Sequence, residues 1–292
     1  MNQRDAFFKQ LTRLSIQDEK ICVVTADMSA PGLDIFRRRF PSRYINTGIA
    51  EQSAILTACG LAKEGMKPFV YGIMPFVSLR PYEQIKVVAA LMNININIVG
   101  IGSGFSYSDS GPTHHAIEDF AIMRILPNME IWNCADNTTA DRAALLSPYH
   151  DGPSYIRLDR KETANLPGDL DAALGFRVHA KDDKQYIITT GYPTHIAINS
   201  RKDTSADCGI IEIFKFPFDI PALLHHVNHK RILCIEENRP YGALYSILAE
   251  QGIPSTQFAL ADQYRYEYGD RDQLLANHGI SKESIIQWTS SL

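Results

Sequence analysis

The stretch YINTGIAEQ, at residues 44–52, is the most informative part of this chain, because a short β-type run there passes through a turn of small residues into a helical pattern. The helical pattern covers residues 50–64 and ends at Gly65, a residue type that often follows the C-terminus of a helix. Glu51 therefore falls in the first turn of a helix that follows a strand. The helix dipole favours a negative charge there, and a lone glutamate in such a place usually does no more than that.

Strand-like and helix-like segments alternate along the rest of the chain. Short apolar runs that are typical of strands stand at residues 21–25, 67–71, 95–101, 129–132, 154–158, 185–190, 208–214 and 231–236. Helical patterns stand at residues 76–92, 116–126, 138–147, 219–229, 242–251 and 281–290. Such alternation is typical of parallel sheets. We therefore predict an α/β fold with two domains, each a mostly parallel sheet flanked by helices.

The division between the two domains is expected where this alternation stops. Residues 161–174 contain a proline, a glycine and several acids, with weak periodicity. A chain of 292 residues has room for about two domains. We predict a first domain at residues 1–162, a linker at 163–175 and a second domain at 176–292.

Composition and charge limit the function classes. Apolar residues make up 45% of the chain, enough for a sizeable core, and the net charge of −4 argues against a nucleic-acid partner. The five cysteines are scattered without a C-x-x-C pair, which indicates reduced thiols in a cytoplasmic protein. The N-terminus lacks a signal-peptide core, and no apolar run approaches the ~20 residues that span a bilayer, so we expect no membrane contact.

Two further segments contain residues that could take part in catalysis or binding. The run GPTHHAIE, at residues 111–118, places two adjacent histidines at the junction of a loop and a helix. Thr113 can be explained as the cap of that helix, but this does not explain the two histidines. YIRLDR, at residues 155–160, ends a strand with Arg160, whose paired donors suit a phosphate. Arg160 is alternatively a surface residue at a strand end, with Arg157 as the inward residue.

The three segments at 44–52, 111–118 and 155–160, in this order and at these separations, resemble the pyrimidine-binding half of transketolases and of 1-deoxyxylulose-5-phosphate synthases. The resemblance covers nearly the whole chain and is specific in residues 20–160. It implies thiamine diphosphate as the cofactor, with Glu51 hydrogen bonded to the pyrimidine N1′. A carboxylate there favours the imino tautomer of the cofactor's own amino group, which then takes the proton from the thiazolium C2.

The resemblance also implies how the pyrimidine ring is held. Phe76 matches one of the family's stacking aromatics, and Ile73 and Ile49 are predicted as further cofactor contacts. Ile73 and Leu79 stand where aromatic residues are usual in the family. These departures predict a reduced aromatic cage and not the loss of the site.

Substrate contacts follow from the same resemblance. His114 occupies the position of a histidine that assists proton movement during cleavage and condensation, and His115 stands where the family commonly has glutamine. Arg160 and Ser29 stand at or near the positions that bind the substrate's phosphate, although Ser29 matches only loosely.

Two positions of the same loop depart from the family. Ser110 replaces an aspartate that contacts a sugar hydroxyl, with Asp109 one residue earlier, and Gly102 stands where a histidine is usual. The resemblance therefore implies the same carbon–carbon chemistry with donor and acceptor sugars that differ from the usual pentose and hexose phosphates.

One family motif is missing from the sequence. The family holds the cofactor diphosphate through a metal ion bound by Gly-Asp-Gly, and this chain has no such sequence. The resemblance implies that an N-terminal-type transketolase subunit supplies the diphosphate site and its Mg²⁺ or Ca²⁺, in an α2β2 complex, and that this chain provides no metal ligands. The expected reaction is transfer of a two-carbon ketol unit between a ketose and an aldose.

Two alternatives remain open at this point. A β-type subunit of a 2-oxoacid dehydrogenase or synthase also gives a glutamate to the pyrimidine, although the GPTH run at 111–114 favours a transketolase. A non-catalytic regulatory or scaffolding homologue is the other, and the presence of Glu51, Phe76 and His114 argues against it.

The acidic strand end at 236–238 is interpreted as structural, with a role in domain packing and dimer contacts.

Overall fold

The computed structural model describes residues 1–203, 207–264 and 266–291. The chain folds into two compact units. The first unit comprises Met1–Ser103 and Ile122–Asn165, and the second comprises Gly104–Ala121 and Leu166–Leu292. Residues 104–121 thus belong to the second unit by their contacts, although they lie inside the predicted first domain. The predicted boundaries along the chain stay a prediction.

The elements of the first part of the chain follow the expected alternation. In order they are α1 (Gln3–Gln17), β1 (Ile21–Thr25), α2 (Pro31–Arg39), a 3-10 turn (Pro41–Arg43), β2 (Tyr44–Asn46), α3 (Glu51–Lys63), β3 (Lys67–Ile73), α4 (Met74–Ser78), α5 (Tyr82–Gln84), a π-helical turn (Ile85–Ala90), β4 (Asn97–Ile101), α6 (Asp119–Arg124), β5 (Glu130–Asn133), α7 (Asn137–Leu146), a 3-10 turn (Ser147–Tyr149) and β6 (Ser154–Leu158).

The remaining elements begin after residue 175. They are β7 (Phe176–Ala180), β8 (Gln185–Thr189), α8 (Pro193–Lys202), β9 (Gly209–Ile213), β10 (Lys215–Phe216), α9 (Ile220–Val227), β11 (Arg231–Ile235), α10 (Leu244–Glu250), β12 (Thr256–Phe258), α11 (Arg271–Ala276) and α12 (Lys282–Thr289). Among the described residues, none of the helices combines the length and the apolar character that crossing a bilayer requires.

The sheet of the first unit is parallel and almost completely buried. Its strands lie in the order β5-β6-β4-β3-β1-β2, and each of these neighbouring pairs is parallel. Every residue of β1, β4, β5 and β6 is buried, as expected for a parallel sheet covered by helices on both faces. The predicted α/β architecture is confirmed.

The strand order creates a crevice between β1 and β3. These two strands are neighbours, but the chain leaves β1 toward β2 at one edge and leaves β3 toward β4 on the other side. Ligands of open α/β sheets bind at such a switch point, outside the carboxyl ends of the strands. The turn that follows β2 leads to Glu51, and the segment that follows β3 contains Phe76, so both residues emerge at this edge.

The second unit has its own sheet and core. Its strands lie in the order β12-β11-β8-β9-β7, all parallel except for β7, which runs antiparallel to β9. Apolar residues from strands and helices form one cluster, among them Ile187, Leu233, Leu275 and Trp288. The sheet is thus mostly parallel, as predicted, with an edge strand that the sequence pattern did not reveal.

Two predicted helices differ from those observed. The helix expected at 76–92 is divided at Pro81, because proline lacks the N–H that would continue the helical hydrogen bonds. The helix expected at 116–126 begins only at Asp119, because Ala116 pairs with Gly104 in a β-bridge. Thr113 therefore lies before the helix and does not cap it.

Two glycines give a matched test of the packing in the two units. A Cβ on Gly209 of β9 would lie 2.3 Å from the ring of Tyr186, which pairs with it from β8, whereas a Cβ on Gly60 of α3 would meet none of the described residues within 4 Å. We expect Gly209→Ala to lower the free energy of unfolding by about 1–3 kcal/mol. Gly60→Ala should raise it by about 0.5–1 kcal/mol, measured by denaturant unfolding. Equal effects of the two changes would contradict this packing.

Candidate active site

Glu51 is fixed at the start of α3 by the turn before it. Gly48 adopts a φ of +73°, a conformation that suits glycine, and its N–H donates to the side-chain oxygen of Asn46 at 2.9 Å. The N–H of Ala50 donates to the carbonyl oxygen of Gly48 at 2.7 Å. The chain then enters the helix with Glu51 only 8% exposed. A nearly buried carboxylate is therefore held where the helix dipole favours its charge.

Arg80 brings Glu51 and Phe76 together. The Nη1 of Arg80 donates to Oε1 of Glu51 at 2.7 Å, and the guanidinium lies 3.9 Å from the centroid of the Phe76 ring. A flat group that donates a hydrogen bond thus covers the aromatic face and contacts the carboxylate at the same time. An aminopyrimidine meets the same two requirements, because it stacks on an aromatic ring and presents a ring nitrogen to a carboxyl. These residues therefore fit the pyrimidine half of thiamine diphosphate.

Two apolar residues near Glu51 and Phe76 in the sequence are exposed. Ile49 is 80% exposed and Leu79 is 42% exposed, whereas Ile73, the last residue of β3, is partly buried. Exposed apolar residues beside a polar site are typical of a surface that a partner or a ligand covers.

The carboxyl ends of β1 and β2 carry a polar pair that the sequence did not single out. Asp27 has a φ of 57°, and its N–H donates to Oδ1 of Asn46 at 3.0 Å. The Nδ2 of Asn46 donates in return to Oδ1 of Asp27 at 3.0 Å. Ser29, predicted near the substrate's phosphate, is exposed two residues later. An aspartate two residues after a buried strand is the signal that would have found Asp27.

The two arginines of β6 have different positions. Arg157 is buried, and its Nη1 donates to Oδ1 of Asn133 at 3.0 Å, so it is the inward residue. Arg160 is exposed just past the end of β6. Because β4 separates β6 from β3, Arg160 emerges roughly 10 Å along the sheet edge from the end of β3, by the usual strand spacing. The predicted contact of Arg160 with an anionic group stays a prediction.

The second unit contains a closed loop with the predicted substrate residues, Gly104–Ala116, called here the His loop. Gly104 and Ala116 exchange backbone hydrogen bonds of 2.9 and 3.0 Å, which close its base. His114 is partly exposed, with its Nδ1 3.0 Å from the hydroxyl of Thr113. The hydroxyl of Ser110 donates to Asp109 at 3.1 Å on the exposed part of the loop. His114, Ser110 and Asp109 are therefore accessible to a small polar molecule.

His115 has a different environment from His114. It is 4% exposed, its ring lies edge-to-face against Phe105 with 4.8 Å between ring centroids, and its Nε2 has no hydrogen-bond partner among the described residues. Burial, and to a smaller extent the charge of His114, lowers the pKa of His115 to about 4. His115 is thus neutral near pH 7 and packed inside the second unit, a position that does not support the predicted contact with substrate.

The described residues, with gaps at 204–206, 265 and 292, contain no group of three or more His, Cys, Asp or Glu side chains arranged to hold a metal ion. The sequence motif that binds the diphosphate metal in the resembling family is also missing.

The lowered pKa of His115 predicts a pH dependence of stability. Between pH 6.5, the ordinary pKa, and about 4, the unfolded chain takes up a proton that the folded chain does not. The contribution of neutral His115 to the free energy of unfolding is therefore complete above pH 6.5, and it decreases as the pH is lowered toward about 4. We expect His115→Gln to make the unfolding free energy depend less steeply on pH between these values, measured by urea unfolding. An unchanged slope would show that His115 takes up its proton in the folded protein.

Comparison with known proteins agrees with this geometry. Residues 1–165 match the family described as transketolase, pyrimidine binding domain. The 1-deoxy-D-xylulose-5-phosphate synthase 2 of Geobacter sulfurreducens is 30% identical over 297 residues, which cover 96% of this chain and 47% of that enzyme. An apulose-4-phosphate transketolase subunit of Phocaeicola vulgatus is 29% identical over 296 residues, with 97% and 94% coverage. The chain thus spans about half of the synthase and nearly all of the transketolase subunit.

A solved structure extends the likeness to both units. The structure described as a split gene transketolase, inactive beta4 tetramer, is 26% identical to this chain, with a TM-score of 0.85. The superposition covers 99% of this chain and 97% of that one. Since the family match extends over more than half of the 292 residues, the chain belongs to the transketolase family through its pyrimidine-binding domain.

Proposed function

We propose that this chain is the pyrimidine-binding subunit of a split transketolase, which transfers a two-carbon ketol unit between sugar substrates with thiamine diphosphate. The single observation that carries the proposal is the arrangement of Glu51 and Phe76 beneath one flat hydrogen-bonding group, at present the guanidinium of Arg80. The near-complete coverage of the Phocaeicola transketolase subunit supports the same conclusion.

Glu51 acts on the cofactor and not on the sugar. When bound, thiamine diphosphate supplies the carbon nucleophile that takes up a two-carbon unit from a ketose and passes it to an aldose. Glu51 shares a proton with N1′ of the pyrimidine, and its nearly buried position keeps competing water away. Phe76 stacks on the ring, and Ile49 and Ile73 supply apolar contacts at its edge.

The substrate side of the proposal involves the His loop and the sheet edge. His114 moves a proton at a substrate oxygen, which its partly exposed ring permits. Asp109 and Ser110 contact sugar hydroxyls. Arg160 and Ser29 contact an anionic group, in agreement with the phosphorylated sugar in the name of the Phocaeicola relative. The sequence departures at Ser110 and Gly102 support sugars other than the usual ones.

A second subunit completes the proposed enzyme. It would carry the diphosphate and a Mg²⁺ or Ca²⁺ ion, because this chain lacks the Gly-Asp-Gly motif. The exposure of Ile49 and Leu79 supports a partner surface near the pyrimidine residues. The solved relative, described as an inactive tetramer of beta chains, supports the view that such chains need a partner. We propose an α2β2 assembly.

The cysteines support a cytoplasmic location for the proposed enzyme. Cys22, Cys59, Cys134, Cys208 and Cys234 are all free and buried. Burial raises the pKa of several of these thiols, for Cys59 to about 11, so they stay protonated and unreactive. Free buried thiols are typical of proteins from reducing compartments.

The two alternatives considered from the sequence gain no support. The relatives reported above are a synthase and a transketolase subunit, and neither is a 2-oxoacid dehydrogenase or a scaffold. A 1-deoxyxylulose-5-phosphate synthase remains close in sequence, but this chain spans only about half of that enzyme.

The proposal predicts a large effect of Glu51→Gln. Glutamine fills the same space but cannot share a proton with N1′, so we expect turnover by the complex with the diphosphate-binding subunit to fall by at least about 100-fold. Glu64→Gln, at the exposed C-terminal end of the same helix, is the matched control and should keep turnover unchanged. Near-normal turnover in the Glu51→Gln complex would refute the assignment.

The contact between Arg80 and Glu51 predicts that removing the guanidinium strengthens cofactor binding. The guanidinium must leave Glu51 before the pyrimidine enters, and an ion pair whose arginine is about half exposed is worth about 1 kcal/mol. We therefore expect Arg80→Gln to tighten the binding of thiamine diphosphate to the complex by up to about fivefold, measured by calorimetric titration. Weaker binding would show that Arg80 contacts the bound cofactor.

A further inference from the structure

The His loop is attached to the second unit through a buried carboxylate. The backbone N–H of Phe105 donates to Oε1 of Glu237 at 2.8 Å, across 132 residues of sequence. Arg271 holds the same carboxylate with its Nε at 2.9 Å from Oε1 and its Nη2 at 2.5 Å from Oε2. All three residues are buried. A hydrogen bond from a backbone N–H to a charged carboxylate is stronger than one between neutral groups, so this contact firmly fixes the start of the loop.

The backbone at the start of the His loop lies directly against this carboxylate. Gly104 adopts a φ of +58°, and a Cβ placed on it would lie 2.2 Å from Cδ of Glu237. The next residue, Phe105, packs its ring against His115 and His278 with centroid distances of 4.8 and 5.5 Å. The sequence therefore needs glycine at 104 so that Glu237 can reach the N–H of Phe105.

The second unit also holds the far end and the tip of the loop. Just beyond Ala116, the N–H of Arg239 donates to the carbonyl oxygen of Ile117 at 3.1 Å, and the guanidinium of Arg239 donates to Glu118 at 3.3 Å. At the tip, the N–H of Gly269 donates to the carbonyl oxygen of Ser108 at 3.3 Å. Among these hydrogen bonds of the loop, the one from Phe105 to Glu237 is buried, whereas those at Glu118 and at Ser108 are partly exposed or lie on the loop backbone.

We propose that Glu237 is a positioning residue for the substrate side of the reaction. Its carboxylate, fixed by Arg271, holds the N–H of Phe105 and thereby sets the place of His114 on the closed His loop. Glu237 touches neither substrate nor cofactor, and it acts only through the loop. The inference rests on the proposed role of His114, and it gives the strand end at 236–238 a part in turnover beyond domain packing.

The neighbouring carboxylate supplies a matched control. Glu236 is also buried, but it accepts from the N–H groups of Leu244 and Tyr245 at the start of α10, at 2.8 and 3.2 Å, and from Gln257 at 3.1 Å. Burial raises the pKa of Glu236. The two glutamates are adjacent in one strand end, yet one holds the His loop and the other holds a helix. A change at Glu236 therefore disturbs the same unit without releasing the loop.

The test compares Glu237→Gln, Gly104→Ala and Glu236→Gln in the full chain assembled with the diphosphate-binding subunit. We expect Glu237→Gln and Gly104→Ala to lower kcat/KM for the donor ketose by about 10- to 100-fold, because small displacements of a reacting group have effects of this size. The Kd of thiamine diphosphate should stay within about twofold. Glu236→Gln should lower Tm without this loss of kcat/KM.

Two further measurements separate this inference from the proposed function. Hydrogen exchange of the chain alone should show faster exchange at Phe105 in Glu237→Gln than in Glu236→Gln, whatever the reaction is. In a His114→Ala background, Glu237→Gln should change kcat/KM by less than about twofold, since the loop then has no histidine to position. The inference would be overturned if Glu237→Gln and Glu236→Gln lost activity in the same proportion to their loss of Tm. It would also be overturned if Glu237→Gln kept a normal kcat/KM although the amide of Phe105 exchanged faster. Normal activity of His114→Ala would instead refute the proposed role of His114.

Discussion

The carboxylate of Glu51 is held in a nearly buried position in the first turn of α3, where the N-terminal N–H groups of a helix favour a negative charge. The turn at Gly48 connects β2 to that helix, and Phe76 follows the carboxyl end of β3 in the same sheet. A carboxylate held this way needs a hydrogen-bond donor. Arg80 provides one here, and the proposed complex replaces it with the nitrogen of a heterocycle.

The two units have separate tasks in this account. In the proposed function, the residues assigned to the cofactor belong to the first unit and the loop with the residues assigned to the substrate belongs to the second. Glu236 and Glu237 show how closely structural and functional contacts can lie, since adjacent carboxylates hold a helix and a loop respectively. Under our proposal, a buried carboxylate that holds only the loop backbone influences turnover.

Local signals in the sequence predict most of what positions Glu51. Small residues before a helical pattern place it in a first turn, and apolar runs of strand length predict the parallel sheet. Contacts between distant residues carry no such signal, so the bond from Phe105 to Glu237 and the role of Arg80 were not predicted. The edge strand β7 was not predicted because its sequence, with Arg177 and His179, contains no apolar run. The break at Pro81 was not predicted because the helical periodicity continues across it.

Contact between the carboxylate of Glu51 and N1′ of the pyrimidine can be measured by nuclear magnetic resonance of the assembled complex with ¹⁵N1′-labelled thiamine diphosphate. The account predicts that the N1′ signal of the bound cofactor keeps the character of a protonated or strongly hydrogen-bonded nitrogen at a pH where the free cofactor has lost its proton. It also predicts that this signal reverts to that of the free cofactor in the complex with Glu51→Gln. An N1′ signal that titrates as in free solution, with Glu51 in place, would contradict the account.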